Sequence, residues 1–304
     1  MTRQRRAEVA LLATTLIWGG TFVATKFGLR DVSPLLLIAI RFLIAGLVIG
    51  LVFWRKIAPV PRAAAVKGII LGSFLFSGFA MQTIGLAHTT ASKSAFITGM
   101  MVIGVPLLQI IIERRSPKLG NVIGVVIVSA GLWFLTSPRG AEFNIGDAFT
   151  LACAVMFAIY IVYLDVVSRE MTTLQLTFIQ IATTAVLAWL AVWVFEPVRL
   201  AFSPPSVVSL LYLTVLATLV TTFVQTRFQK DTTPTRAVII FTIEPVFAAV
   251  SAYVLLDERL GTSGILGGAL IIGGVLLSEL SDGIPMLDRP VVDLENGQNE
   301  NRPG

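Results

Sequence analysis

Residues 82–90 read QTIGLAHTT and residues 225–233 read QTRFQKDTT, so Gln82, Thr83, Thr89 and Thr90 recur as Gln225, Thr226, Thr232 and Thr233, each displaced by 143 positions. Lys93 answers Arg236, Gly124 answers Gly267 and Gly131 answers Gly274 at the same displacement. Arg41 and Gln180 take equivalent places 139 apart, which implies a small change of length before the third segment of the repeat. The chain is read as two copies of one unit, residues 1–139 and 140–281. A tail, 282–304, rich in Asp, Glu, Asn and Pro, is expected to be a disordered cytoplasmic segment.

What each copy is made of follows from composition. Of 304 residues 55% are apolar and 13% charged, about half the charge of a water-soluble chain. Apolar runs near the ~20 residues needed to cross ~30 Å of hydrocarbon recur between short polar breaks. Ten spans are expected, at 7–28, 34–54, 64–88, 92–112, 119–136, 147–165, 172–195, 206–228, 235–256 and 261–281. The runs exceed strand length and lack strict alternation, so they read as helices, not barrel strands. The fold class is all-α integral membrane. Arg3, Arg5 and Arg6 precede the first run as they would in a signal peptide, but nine further runs follow, and the segment is read as an uncleaved span.

Five spans per copy is an odd number, so the second copy must enter the membrane from the opposite side: ten transmembrane helices in two inverted five-helix repeats. With a cytoplasmic N-terminus, sixteen of the 23 Lys and Arg fall inside, six outside, and Arg41 within a span. This bias places both termini in the cytoplasm, and the expected location is a bacterial inner (cell) membrane. The formal charge of +5 is explained by the same bias and calls for no nucleic acid. Inverted halves are the architecture of carriers that work by alternating access, and the duplicated stretch then builds two mirrored gates.

LIWGGTFVATK (16–26), HTTASKSAFITG (88–99), IEPVFAAVSAYVLLDERL (243–260) and GILGGALIIGGVLL (264–277) resemble the two EamA repeats of the drug/metabolite transporter superfamily, over about residues 8–280. The resemblance implies a ten-span carrier for small metabolites, amino acids or drugs, often outward. In one respect the sequence departs from symmetry: Val105-Pro106 stands in the first half where Glu244-Pro245 stands in the second.

Ionisable groups deep in a membrane are candidates for function. Glu244, at the centre of the ninth span, reads as a proton-coupling or cation-binding carboxylate, or as a structural tie to Arg41, a hydroxyl or a backbone amide. Pro245 frees a carbonyl one turn earlier, so a bend is expected there. Arg41 suits a carboxylate through two parallel hydrogen bonds, or helix pairing. Gln82 and Gln225, on opposite sides of the midplane, and Gln180 read as contacts to a polar solute or as interhelical ties. Trp18, beside Gly19 and Gly20, and Tyr160 and Tyr163 in the sixth span are candidates to line a cavity. Lys93 and Arg236 are read as interface anchors, and His88 as a solvated residue. Gly120 and Gly124, like Gly264 and Gly268, are four apart and favour close packing of the fifth and tenth spans, within one chain or between the chains of an oligomer.

The single histidine and single cysteine, Cys153, leave no multi-histidine metal site and no intrachain disulfide. There is no nucleophile with a spaced base, no phosphate-binding loop and no cofactor motif. The chain is therefore read as a non-enzymatic secondary transporter that exports a small metabolite (an amino acid, a related metabolite or a drug-like solute), with proton coupling through Glu244 as one route. The alternative is a channel or facilitator without ion coupling, and, further off, an intramembrane enzyme.

Overall fold

The computed structural model describes residues 2–57, 59–113, 119–136, 144–258 and 261–280; the expected tail, 282–304, lies outside them. The described residues are 87% helical, and among them extended pairing is limited to an isolated bridge between Val32 and Leu200. The helices are α1 (Arg3–Gly28), α2 (Pro34–Ile57), α3 (Arg62–His88), α4 (Ala91–Gly99), α5 (Met101–Glu113), α6 (Leu119–Thr136), α7 (Ile145–Val167), α8 (Thr173–Phe195), α9 (Pro204–Leu211), α10 (Thr221–Phe228), α11 (Pro234–Phe241), α12 (Glu244–Leu256) and α13 (Thr262–Leu280). Among the described residues, eight continuous or jointed helical segments are long and apolar enough to cross a membrane. Two shorter apolar helices, Leu119–Phe134 and Thr262–Ser278, coincide with the expected fifth and tenth spans.

The outer surface is apolar. Leu51, Trp193 and Phe195 are 75%, 86% and 77% exposed, an exposure that suits lipid and would be a liability in water. Threonines go the other way: Thr15, Thr184 and Thr221 are buried, each returning its hydroxyl to a carbonyl four residues earlier on its own helix. That pairing lets a polar side chain sit inside without an orphaned hydroxyl.

Positions 143 apart share local structure. Thr90 caps α4 by accepting the Lys93 N–H at 3.2 Å, and Thr233 caps α11 by accepting the Arg236 N–H at 3.2 Å. Each cap satisfies a backbone donor that a helix start leaves free. Both helices then stop and resume, after Gly99 at Met100 and after Phe241 at Thr242 and Ile243. The expected bend near Pro245 is present, but its cause is not the proline alone, because Pro106 lies well inside α5 while the first-half break is at Met100. Pro245 occupies the first turn of α12, where no backbone donor is needed.

Two acids outside these helices close helix starts elsewhere. The Glu196 carboxylate accepts the N–H groups of Leu35 and Leu36, both at 2.9 Å. Asp257 ends α12 in the left-handed region (φ 56°), and the turn it makes brings the next residue, Glu258, back to accept the N–H groups of Ala91 and Ser92 at 3.2 Å each.

Glycines set the closest helix approach. A Cβ on Gly131 would stand 2.8 Å from the Gly267 carbonyl, and one on Gly274 would stand 3.2 Å from the Gly124 carbonyl. The fifth and tenth expected spans, α6 and α13, thus meet backbone to backbone within one chain. All four glycines of the 143-residue match lie in this contact.

Candidate functional site

A cavity lies among α1, α2, α3, α4, α7, α10 and the α11–α12 break. It has about 530 Å³ of empty space, part of it open to the surroundings. Trp18, Arg41, Gln82, Tyr160, Gln225 and Glu244 all line it, and Phe79, Thr98 and Phe241 complete much of the wall. Six of the eight residues singled out from the sequence as solute or cavity candidates therefore meet in one place.

Each is held by its own element. Trp18 stands edge-on to Phe241, ring centroids 5.1 Å apart. The next residue, Gly19, lets α1 close on α12. Arg41 projects from the first half of α2, only 3% exposed. Its guanidinium lies 4.4 Å from the Phe79 ring centre and 4.9 Å from that of Phe42, a cation–π setting that offsets part of the burial cost. Nε donates to the Thr218 hydroxyl at 3.0 Å, whereas Nη2 is buried with no hydrogen-bond partner. Thr218 belongs to a π-helical stretch, Tyr212–Val220, that joins α9 to α10 and carries Ala217 to the cavity wall. Such wide turns are uncommon and tend to mark functional sites.

Glu244 opens α12 directly after the break. Its side chain is buried, and among the described residues its carboxylate takes part in no hydrogen bond or ion pair. The Arg41 tie weighed from the sequence is not formed. The cavity instead holds a guanidinium with a spare donor and a carboxylate with spare acceptors. Gln82 donates to Thr98 at 3.3 Å and Gln225 to Gln229 at 2.9 Å, leaving the carbonyl oxygen of each amide available to the cavity.

Gln180 is elsewhere. Fully buried, it accepts the Tyr160 hydroxyl at 2.8 Å and donates to Thr226 at 2.8 Å, so it orients Tyr160 rather than lining the cavity. Tyr163 packs edge-on to Phe74 at 6.0 Å and is also absent from the lining. His88 is exposed as expected. Among the described residues no three of His, Cys, Asp and Glu are grouped to hold a metal ion.

Lys93 and Arg236 need a correction. They are not snorkelling anchors: Lys93 Nζ lies 2.6 Å from Asp147 Oδ2 and Arg236 Nε lies 3.2 Å from Glu8 Oε1, with the four side chains 16% exposed or less. The reason is that α4 and α11 begin against α7 and α1, which carry Asp147 in the first turn and Glu8 in the second. Sequence reasoning missed Glu8 and Asp147, although they stand 139 apart, the same displacement as Arg41 and Gln180.

An all-helical chain with a lipid-suited surface around a polar cavity has the build of a membrane transporter. The EamA-like transporter family matches residues 5–137 and again residues 144–280. An uncharacterized transporter of Archaeoglobus fulgidus is 30% identical over 90% of this chain and 86% of its own length. A probable amino-acid metabolite efflux pump of Escherichia coli is 25% identical over 90% of this chain and 95% of its own. A solved crystal structure that is 21% identical superposes with a TM-score of 0.76 over 91% of this chain and 97% of that one, a likeness of fold. The chain belongs to the EamA-like transporter family and is an integral, multi-pass membrane protein.

Proposed function

We propose that this protein is a secondary transporter that exports a small zwitterionic metabolite, such as an amino acid or a close relative, by alternating access. The observation that carries the reading is the pair of unspent charges in one cavity, the Arg41 guanidinium with its free Nη2 and the Glu244 carboxylate without a partner. Arg41 would hold the solute's carboxylate and Glu244 its ammonium group, with Trp18 and Tyr160 packing the side chain. A buried charge without a partner is costly, so a solute that supplies both counter-charges is favoured over one that supplies neither.

Ten spans in two inverted five-helix repeats, 1–139 and 140–281, with both termini cytoplasmic, form the frame of this reading. Its support is the double family match and the shared caps and breaks at positions 143 apart. Outward transport is supported by the relative named an efflux pump. When the solute leaves, a proton from the open side can neutralise Glu244, so that proton and solute compete for one carboxylate and their fluxes are coupled.

The test has two stages. Metabolites retained or lost on expression in cells are compared with a control, and the responders are then assayed by counterflow in liposomes. Saturable counterflow of a zwitterion, lost in Arg41→Leu, is expected; flux that neither saturates nor shows counterflow would indicate a channel.

A further inference from the structure

The two displacements found in the sequence converge on two ion pairs. Lys93 and Arg236 are 143 apart; their partners Asp147 and Glu8 are 139 apart. In each pair the base opens the fourth expected span of one half and the acid lies in the first turns of the other half, so both pairs cross the seam between halves. They lie at opposite ends of the molecule. The Glu258 carboxylate that caps α4, beside Lys93, attracts Lys26, which is 18 residues along α1 from Glu8, or about 27 Å at 1.5 Å per residue.

The pairs are built alike but not fastened alike. Asp147 binds Lys93 at 2.6 Å, accepts the Thr89 hydroxyl at 2.8 Å and accepts the Asn144 N–H at 2.9 Å. Glu8 lies 3.2 Å from Arg236 and otherwise accepts Gln4 of its own helix at 2.8 Å. Thr232, the counterpart of Thr89, has a buried hydroxyl with no hydrogen-bond partner. Glu8 and Arg236 also line a surface cavity with about 1120 Å³ of open space, bounded by Arg5, Leu12 and Ile243.

We infer that Lys93–Asp147 and Arg236–Glu8 are reciprocal latches of the carrier, the first sealing the outer side of the central cavity and the second the inner side, each parting as its own side opens. Both pairs are made in the structure, the outer at 2.6 Å with the Thr89 hydroxyl in place and the inner at 3.2 Å without that of Thr232. This inference rests on the alternating-access reading: when two halves rock about a fixed site, approach at one end separates the halves at the other. A contact across the seam that is present in only one of two states biases their populations by the free energy of that contact. Thr89 and Thr232, members of the duplicated stretch, are the hydroxyls that complete each latch when it closes.

The test uses the full chain with Cys153→Ser and a reporter, Ala217→Cys, on the cavity wall, labelled by an impermeant maleimide from outside in cells or from inside in inverted vesicles. Lys93→Met and Asp147→Asn should each raise the outside-to-inside labelling ratio about fivefold, and Arg236→Met and Glu8→Gln should each lower it about fivefold. The exchanged pair, Lys93→Asp with Asp147→Lys, should return the ratio toward that of the parent. Should all four single variants leave the ratio unchanged, or move it the same way, while the parent is labelled from both sides, the latches are wrong and the carrier stands. Labelling of the parent from one side only, with and without solute gradients, would overturn alternating access itself. If the single variants do not fold, Lys93→Cys with Asp147→Cys decides: cross-linked protein should lose counterflow and regain it on reduction, and full counterflow while cross-linked overturns the latch.

Discussion

Gly19 of α1 lies against Phe247 of α12 so closely that a Cβ added to it would stand 2.4 Å from the Phe247 Cβ, with the Glu244 carbonyl at 3.3 Å. This approach holds Trp18 against Phe241 and keeps the start of α12 at the cavity. Because both neighbours are backbone or Cβ atoms, they cannot rotate away. Gly19→Ala should therefore cost roughly 1–3 kcal/mol through overpacking, read as a lower thermal midpoint in detergent. An unchanged midpoint would mean that α12 is free to shift.

Tyr160 owes its position to Gln180. Replacing Gln180 by Leu leaves the Tyr160 hydroxyl and the Thr226 hydroxyl without their shared partner, a loss on the order of 1–3 kcal/mol for each buried group so stranded. Tyr160→Phe combined with Gln180→Leu should recover part of that loss, because the buried phenol is gone. A double variant no better than the single one would show that the hydrogen bond does not set the cost.

For Glu244, substitution by Gln keeps the shape and removes the titrating group. Accumulation driven by a pH gradient should be abolished in Glu244→Gln, and exchange of solute for solute should persist but half-saturate at a higher solute concentration, because the amide no longer pairs with the solute's ammonium group. Normal pH-driven accumulation by this variant would remove the carboxylate from coupling. Exchange with unchanged affinity would remove it from solute binding.

On the loop between α1 and α2, Asp31 accepts the hydroxyl of Ser203, the N-cap of α9, which, with a lesser contribution from Ser206, holds its carboxyl below the ordinary value of 3.8. A carboxyl whose folded value is depressed adds stability above its unfolded value, and that contribution is lost as the pH falls through the folded one. The Val32–Leu200 junction should thus loosen only below about pH 4, and Asp31→Asn should remove that acid step. Hydrogen exchange of the Ala201 N–H, which donates to the Asp31 carbonyl at 3.0 Å, reports it.

The helical segments could be read from the sequence because lipid leaves the backbone few alternatives and apolar length is then decisive. The cavity was legible for a related reason. Arg41, Glu244 and Trp18 are types that membrane interiors tolerate only with cause, and those are the residues that converge. Gln180 and Lys93 misled because a side chain's partner is fixed by tertiary approach and not by its own position in a span. Glu8 and Asp147 look ordinary among the polar residues at helix starts and stand out only when both displacements are used together. Nothing in YLTVLATLV (212–220) announces a π-helical turn, since its apolar pattern fits an α-helix equally well.

The acids that close the starts of α2 and α4 have a consequence for biogenesis. Glu196 follows Leu35 by 161 residues and Glu258 follows Ala91 by 167. At ordinary rates of synthesis the first half waits roughly 10–30 s for them. During that interval Leu35, Leu36, Ala91 and Ser92 present bare amides that only water or a headgroup can occupy. Residues 5–137 match the EamA-like family by themselves, yet their segment reaches its final hydrogen bonding only once the chain has been made as far as Glu258.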